Sequence, residues 1–563
     1  MTKTKTPKVE KKASNTSPTA SGLFENVENF LNKNYKGIFI FSLFLTAFFS
    51  FILFNARISE GGDDSNYIYG GYKYATDFKN YSFTFQAPLY PFFLSLFIKV
   101  FGLKLLMLKM ISLVSNFFGM FFLFKAFRNR IPAMVLVPTI LMLAINTQMH
   151  YYASQTYTEA FYFFIFSTFF YVTFLLLPKI ESEDLKSNFK YLAIIGFLTF
   201  VITETKNISI TAVPSILLFL LIIKKWKEAL TFASIFAVLK LGFTQVRKLL
   251  GAQNDQYSSQ SNILWLKDPY APAKGTEDLS GFITRFFENI DLYLSKNMLK
   301  ILGFVDEYYP NNHTIMSWFL IIVFALALIW ALKNKQYYIL LSGLIVMSMA
   351  TASFIVLQTR WDQPRLIVIY LPVFLILFFY LLYELLKNKS FVLQSLYFYI
   401  FIFLFGGGIL SSFNQSKDNI TAVRKNLTGD LYYGYTPDWI NFLKMSEWCG
   451  KNLPAESFVA SRKHSMSFVY SNGKEFFPVY QVQFTDTTTN MSNPDSALAY
   501  FQKNKVTHLI LANLRRNPKV NDGYIINTVH RMVYPIAQKY PEKVKVLHTI
   551  GNSEQAQLVE LKY

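Results

Sequence analysis

Cysteine is almost missing from this chain: Cys449 is the only one in 563 residues. An intramolecular disulfide and a thiolate zinc cluster are therefore both excluded, and any exported domain must be held by its own packed core. Charge is scarce as well, at 16% of residues, while 52% are hydrophobic. Most of the charges lie between or outside long apolar blocks, as they must if those blocks sit in hydrocarbon, where an ionised side chain costs at least a few kcal/mol. That distribution is not the pattern of a soluble enzyme. The formal net charge of +20 gathers as Lys and Arg in short loops on one side of the apolar blocks, so it reads as membrane topology and not as a nucleic-acid surface.

The apolar blocks fall at about 36–56, 103–124, 132–148, 159–177, 190–206, 207–223, 228–246, 315–332, 337–357, 366–386 and 391–412. Each has about the length that crosses hydrocarbon as a helix, which predicts an α-helical polytopic membrane protein of about eleven spans. With the N-terminus inside, every second junction is cytoplasmic. Those junctions carry Lys125, Arg128 and Arg130; Lys179 and Lys186; Lys224, Lys225 and Lys227; Lys333 and Lys335; and Lys387 and Lys389. Residues 1–35 are expected to form a basic, disordered cytoplasmic tail, and 36–413 a membrane domain with exported loops 57–102 and 247–314. The remainder, 414–563, is expected to be an exported periplasmic α/β domain at an inner membrane. In that tail, Ser457–Ala460 and Val506–Leu511 read as buried strands, and Pro437–Asn452, Asp495–Lys503 and Gly523–Lys539 as helices. The stretch 190–223, interrupted by Glu204, Lys206 and Asn207, reads either as a tight helical hairpin or as one broken segment.

Two segments of the first exported loop carry candidate chemistry. Glu60-Gly61-Gly62-Asp63-Asp64-Ser65-Asn66-Tyr67 places adjacent carboxylates just beyond a membrane exit, and Gln86-Ala87-Pro88-Leu89-Tyr90-Pro91 opens an apolar stretch ending at Phe101-Gly102. A carboxylate held at a glycine turn can take a proton from a hydroxyl as a general base, although capping the helix that follows is an equally ordinary use of Asp.

This arrangement resembles the GT-C superfamily of polyprenyl-phosphate-sugar-dependent glycosyltransferases, in particular the protein O-mannosyltransferase and aminoarabinose transferase (family 39-like) branch. The resemblance rests on Asp63-Asp64-x-x-Tyr67 after the first span and on Pro88-Leu89-Tyr90. It extends to Thr158-Glu159 opening a span, Thr205-Lys206 ending one and Pro364-Arg365 opening another. The chain departs from the family in having Gln86-Ala87 where a basic residue and a proline are common.

The resemblance implies an inverting sugar transfer from a polyprenyl-phosphate donor to a lipid, glycan or protein hydroxyl, among membrane lipids and without nucleic acid. On that reading Asp63 is the general base, Asp64 and Glu159 complete the catalytic acids, and Lys206, Arg365 and Arg360 hold the donor phosphate. Tyr67, Gln86, Pro88 and Tyr90 then contact substrate. Separately, the loop 247–314 carries Tyr257, Trp265, Tyr270 and Tyr308, aromatics that suit stacking on a sugar ring and equally mark a membrane interface, and Tyr308 is taken as a further substrate contact. The plain alternatives are that Lys206 and Arg365 carry their charges to lipid headgroups and that Glu159 complements a helix dipole. Asp306, Glu307 and His313 match no standard metal spacing, and a divalent cation is left open. From other classes, a transporter or flippase for a lipid-linked glycan would call for inverted repeats, of which the sequence shows no second copy. A non-catalytic envelope scaffold would tolerate amides at Asp63 and Glu159.

Overall fold

The computed structural model describes residues 22–563 apart from 84, 183, 250–259, 270–273, 480–492, 517–523 and 527–528. The first element among the described residues is α1 (Leu23–Lys33), inside the stretch expected to be a disordered tail. Its amphipathic face buries Phe24 against Tyr383, Tyr397 and Phe398. Glu28 accepts the amide hydrogens of Ala133 and Met134 at 2.6 and 2.8 Å. The carboxylate thus caps the N-terminus of a membrane helix, which is why this stretch folds despite its polar neighbours.

The helices that follow are α2 (Tyr35–Ile52), α3 (Asp63–Thr76), α4 (Leu89–Phe101), α5 (Leu105–Phe127), α6 (Ala133–Ala144), α7 (Thr147–Ala153), α8 (Thr158–Ser182) and α9 (Leu185–Thr205). A short 3-10 turn at Asn207–Thr211 leads into α10 (Ala212–Ile222), α11 (Trp226–Leu249) and α12 (Gln260–Trp265). Next come α13 (Leu279–Asp291), a π-helical turn at Leu292–Asn297, α14 (Met298–Leu302), α15 (Thr314–Lys333), α16 (Tyr337–Val356), α17 (Arg365–Val368), α18 (Leu371–Leu386) and α19 (Phe391–Leu427). All eleven apolar blocks are helical. Among the described residues, eight helices are long and apolar enough to cross a bilayer, and α6 with α7 makes a ninth bent by 56°. The two remaining blocks are the shorter helices Asn207–Ile222 and Leu371–Leu386. The first starts only after the extended Lys206, and the second after the break at Ile369–Tyr370, where Pro372 sits in the first turn of the new helix. The protein is an integral membrane protein of mostly helical architecture.

The 190–223 region is a hairpin. Asn188 meets Glu228 and Phe200 packs edge-on against Phe243, so α9 and α11 run parallel. Ser215 bonds Ser348 at 2.6 Å and Phe219 packs on Tyr337, so α10 runs antiparallel to α16. The chain therefore reverses at Lys206, whose backbone is extended at φ −148°.

The expected boundary at 413–414 falls inside α19, which continues without a break for 37 residues. Beyond it lie α20 (Pro437–Asn452), β1 (Val459–Ser461), α21 (His464–Tyr470), β2 (Phe476–Pro478), α22 (Pro494–Lys503) and β3 (His508–Leu511). The small strands β4 (Arg515–Arg516) and β5 (Tyr524–Ile525), then α23 (Val529–Lys539), β6 (Val544–Ile550) and β7 (Ala556–Leu561), complete the chain. The main sheet has order β2-β1-β3-β7-β6, parallel across its first three strands and antiparallel across the rest. Behind one face, α22 and α23 close a core of their own around Phe501, Leu509 and Ile536. On the other face, Trp439, Phe442, Met466 and Phe468 join the core that runs down through Ile58 and Tyr67 into the membrane domain. The mixed α/β tail is thus seated on the bundle by continuous apolar packing.

Candidate active site

The site begins with a turn that only glycine adopts without strain. Gly62 has φ +84°, in the left-handed region, and it swings the chain from the exit of α2 into the first turn of α3. Asp63 and Asp64 then occupy the positive end of that helix but diverge. Asp63 turns outward, its Oδ2 accepting from Arg365 Nη2 at 2.7 Å. Asp64 turns inward and is fully buried, its carboxylate accepting from the Ser59 amide at 3.0 Å and the Ser59 hydroxyl at 3.1 Å. Burial raises the Asp64 carboxyl above its ordinary range, while the charge of Lys109 and the Ser59 hydrogen bonds pull it down. Buried Lys109 donates to Ser154 O at 3.0 Å and to Gln155 Oε1 at 2.7 Å.

Arg365 is fixed from the side. Its guanidinium lies 4.4 Å above the Tyr157 ring, and the Tyr157 hydroxyl bonds Ser59. Its Nε is buried with no hydrogen-bond partner. The loop carrying it is pinned by Asp362, which accepts from Lys296 at 2.7 Å and from Asn297 at 3.0 Å, both from the π-helical turn. Glu159 and Lys206, 47 positions apart in sequence, pair at 3.0 Å and are both largely buried. Four distant segments therefore converge at one end of the bundle, bringing together Asp63, Glu159, Lys206 and Arg365.

The remaining residues singled out from sequence lie elsewhere or inside. Arg360 engages Asp268 through two contacts of 2.8 and 2.7 Å, an acid that Lys274 also meets. Tyr67 and Tyr90 are sealed in the core, their ring centroids 5.5 Å apart. The Tyr67 hydroxyl donates to Gln86, and Tyr90 bonds Ser112 at 3.1 Å. Pro88 is buried and sits at the start of α4. These four brace α3 against α4. Tyr308 stands on the surface of the long loop, its amide donating to Asp306 at 2.9 Å. Tyr257 and Tyr270 lie outside the described residues.

The tail domain reaches this end of the bundle. Lys463 Nζ donates to Gly61 O at 2.7 Å, and Ser465 bonds Ser65 at 2.8 Å. Tyr435 donates to Ile58 O at 2.5 Å, while Glu475 takes Lys73 at 2.7 Å and Tyr69 at 2.9 Å. Lys109, Tyr157, Lys296 and Lys463 were not picked out from sequence. Only Lys109 carried a signal, a lysine within an apolar block.

No family model and no curated protein sequence matches the chain. Its structure is similar to the crystal structure of an oligosaccharyltransferase from Archaeoglobus fulgidus in complex with zinc and sulfate. The TM-score is 0.50 at 12% identity, over 84% of this chain and 68% of that one. The chain has a GT-C fold. GT-C architecture accounts for the division into a helical membrane domain and a C-terminal domain of mixed sheet. Among the described residues no three His, Cys, Asp or Glu side chains come together to hold a metal, and Asp63 is engaged by Arg365.

Proposed function

We propose that this GT-C protein is an inverting glycosyltransferase that moves a sugar from a polyprenyl-phosphate-linked donor to a hydroxyl of a lipid, glycan or protein. The reaction takes place at the non-cytoplasmic face of an inner membrane. One observation carries the reading: a carboxylate at a helix N-terminus, Asp63, meets the guanidinium of Arg365, and a second acid-base pair, Glu159 with Lys206, stands at the same end of the bundle.

In the resting site Arg365 holds Asp63 Oδ2 at 2.7 Å and so occupies the oxygen that would meet an acceptor. An arriving phosphodiester competes for Arg365 and, with Lys206, takes over its charge. Asp63 is thereby freed to accept the proton of the acceptor hydroxyl. The acceptor oxygen forms its bond to the anomeric carbon as the bond from that carbon to the phosphate oxygen breaks. The polyprenyl phosphate departs with the electron pair, its charge held by cations already in place. Attack from the face opposite the phosphate inverts the anomeric centre.

The test compares envelope glycans, glycolipids and glycoproteins by mass spectrometry in a host lacking the gene, complemented with the wild type or with Asp63→Asn at equal expression. The expected result is one sugar increment that is lost in the deletion, restored by the wild type and not by Asp63→Asn. Restoration by Asp63→Asn would remove Asp63 from the chemistry and favour the transporter or scaffold reading.

A further inference from the structure

Behind Glu159 lies a small enclosed cavity with room for about one water molecule. Its walls come from Asn116 on α5, Met149 and Tyr152 on α7, Glu159 and Phe163 on α8, and the Val368-Ile369 step after α17. Most of this lining is apolar, yet two of the lining side chains each carry a buried oxygen with no hydrogen-bond partner, Asn116 Oδ1 and Glu159 Oε2.

The orientation of Asn116 follows from a chain of hydrogen bonds leading away from the cavity. His150 Nε2 lies 2.9 Å from Ala144 O, which can only accept, so that nitrogen carries the proton. A second N–H on the ring would place a cation in the middle of an apolar bundle without a carboxylate contact, at a cost of several kcal/mol, so Nδ1 accepts. Its donor is the Ser50 hydroxyl at 2.8 Å. Ser50 has then spent its one hydrogen and must accept from Asn116, whose Nδ2 is 3.2 Å away. The amide nitrogen of Asn116 is committed to Ser50, and its oxygen is left without a donor. Glu159, with Oε1 taking the hydrogen bond of Lys206, has its other oxygen unmet as well. Both residues line one cavity, and leaving each acceptor unmet costs about 1–3 kcal/mol.

The geometry points to a binding site for a single trapped water, a small neutral molecule whose two hydrogens satisfy Asn116 Oδ1 and Glu159 Oε2 together. The water holds the Glu159 carboxylate so that Oε1 meets Lys206, and it couples the His150-Ser50-Asn116 chain to the candidate site. This inference stands apart from the transferase reading, because its test observes the site and not sugar transfer.

The experiment is a density map of the full-length protein in lipid nanodiscs at a resolution that shows ordered water, for the wild type and for Asn116→Leu. The expected result is a peak within hydrogen-bonding distance of both oxygens in the wild type and its loss in Asn116→Leu. A wild-type map that shows other ordered waters but leaves this cavity empty would overturn the assignment. So would one in which Glu159 Oε2 bonds Asn116 directly. The wild-type map decides the matter even if Asn116→Leu does not fold.

Discussion

Adjacent acids of the same type are separated here by their surroundings. Asp63 meets an arginine in a partly open site, while Asp64 is buried over Lys109 and held by Ser59. The doublet stood out in the sequence as a unit, and the resemblance gave both members catalytic roles. Nothing in its spacing revealed that one member points out and the other in, since that depends on Ser59 and Tyr157, which join only in three dimensions. The division has a consequence for pH. A folded-state value raised by burial means that the native protein binds this proton more tightly than the unfolded chain does. The group's stabilising contribution is then complete below the unfolded carboxylate value and is lost as pH rises through the higher folded one. Asp64→Asn keeps the side chain neutral throughout. The wild-type melting temperature in detergent is therefore expected to fall relative to Asp64→Asn as pH rises across that window. Parallel pH profiles for the two proteins would contradict the environment assigned to Asp64.

At the scale of elements, α3 and α4 form the platform that presents the acids, and they approach closely through small residues. A Cβ placed on Gly71 would sit 3.0 Å from Leu94 Cβ and 3.2 Å from the Pro91 carbonyl oxygen, and backbone atoms of a neighbouring helix have little room to yield. Gly71→Ala is expected to push α4 away from α3 and to destabilise the protein by about 1–3 kcal/mol, seen as a lower melting temperature. An unchanged melting temperature would show that the two helices can part freely. Runs of apolar residues exposed the membrane helices, including the α9–α10 pair, because hydrocarbon imposes length and polarity on sequence directly. The α1 helix was hidden because its folding depends on Phe24 and Glu28 finding partners more than one hundred positions away. Tyr67, Gln86, Pro88 and Tyr90 were legible as a motif, but the structure uses them to hold α3 on α4. Their burial could not be read from a pattern that suits a binding surface equally well.

At the scale of the whole molecule, the tail domain is bound to the membrane domain through a shared core and through contacts at both ends of the Ile58–Ser65 segment. Strands β1 and β3 and helices α20, α22 and α23 were legible as short apolar runs alternating with amphipathic ones, whereas β2, β6, β7 and α21 were not read and Tyr524–Ile525, taken as part of a helix, form β5. The docking of the domain was not legible, because Lys463, Ser465 and Glu475 look like ordinary surface residues in one dimension. The chain's single cysteine offers a direct probe of this domain. Cys449 is buried in α20, and burial pushes its thiol up to about 12. The thiolate is the reactive form, so the native protein is expected to resist maleimide and to label only when the domain opens in denaturant or heat. Rapid labelling of the native protein would show that α20 is not packed as described.

The unbroken course of α19 has a mechanical consequence. Thirty-seven helical residues amount to about 55 Å of rod, well beyond the roughly 30 Å of bilayer hydrocarbon. One end of that rod is immersed in lipid, and the other carries the domain whose Lys463 holds the carbonyl next to Gly62. The length left over, about 25 Å, carries the chain clear of the bilayer before the tail domain folds back onto the turn that aims Asp63.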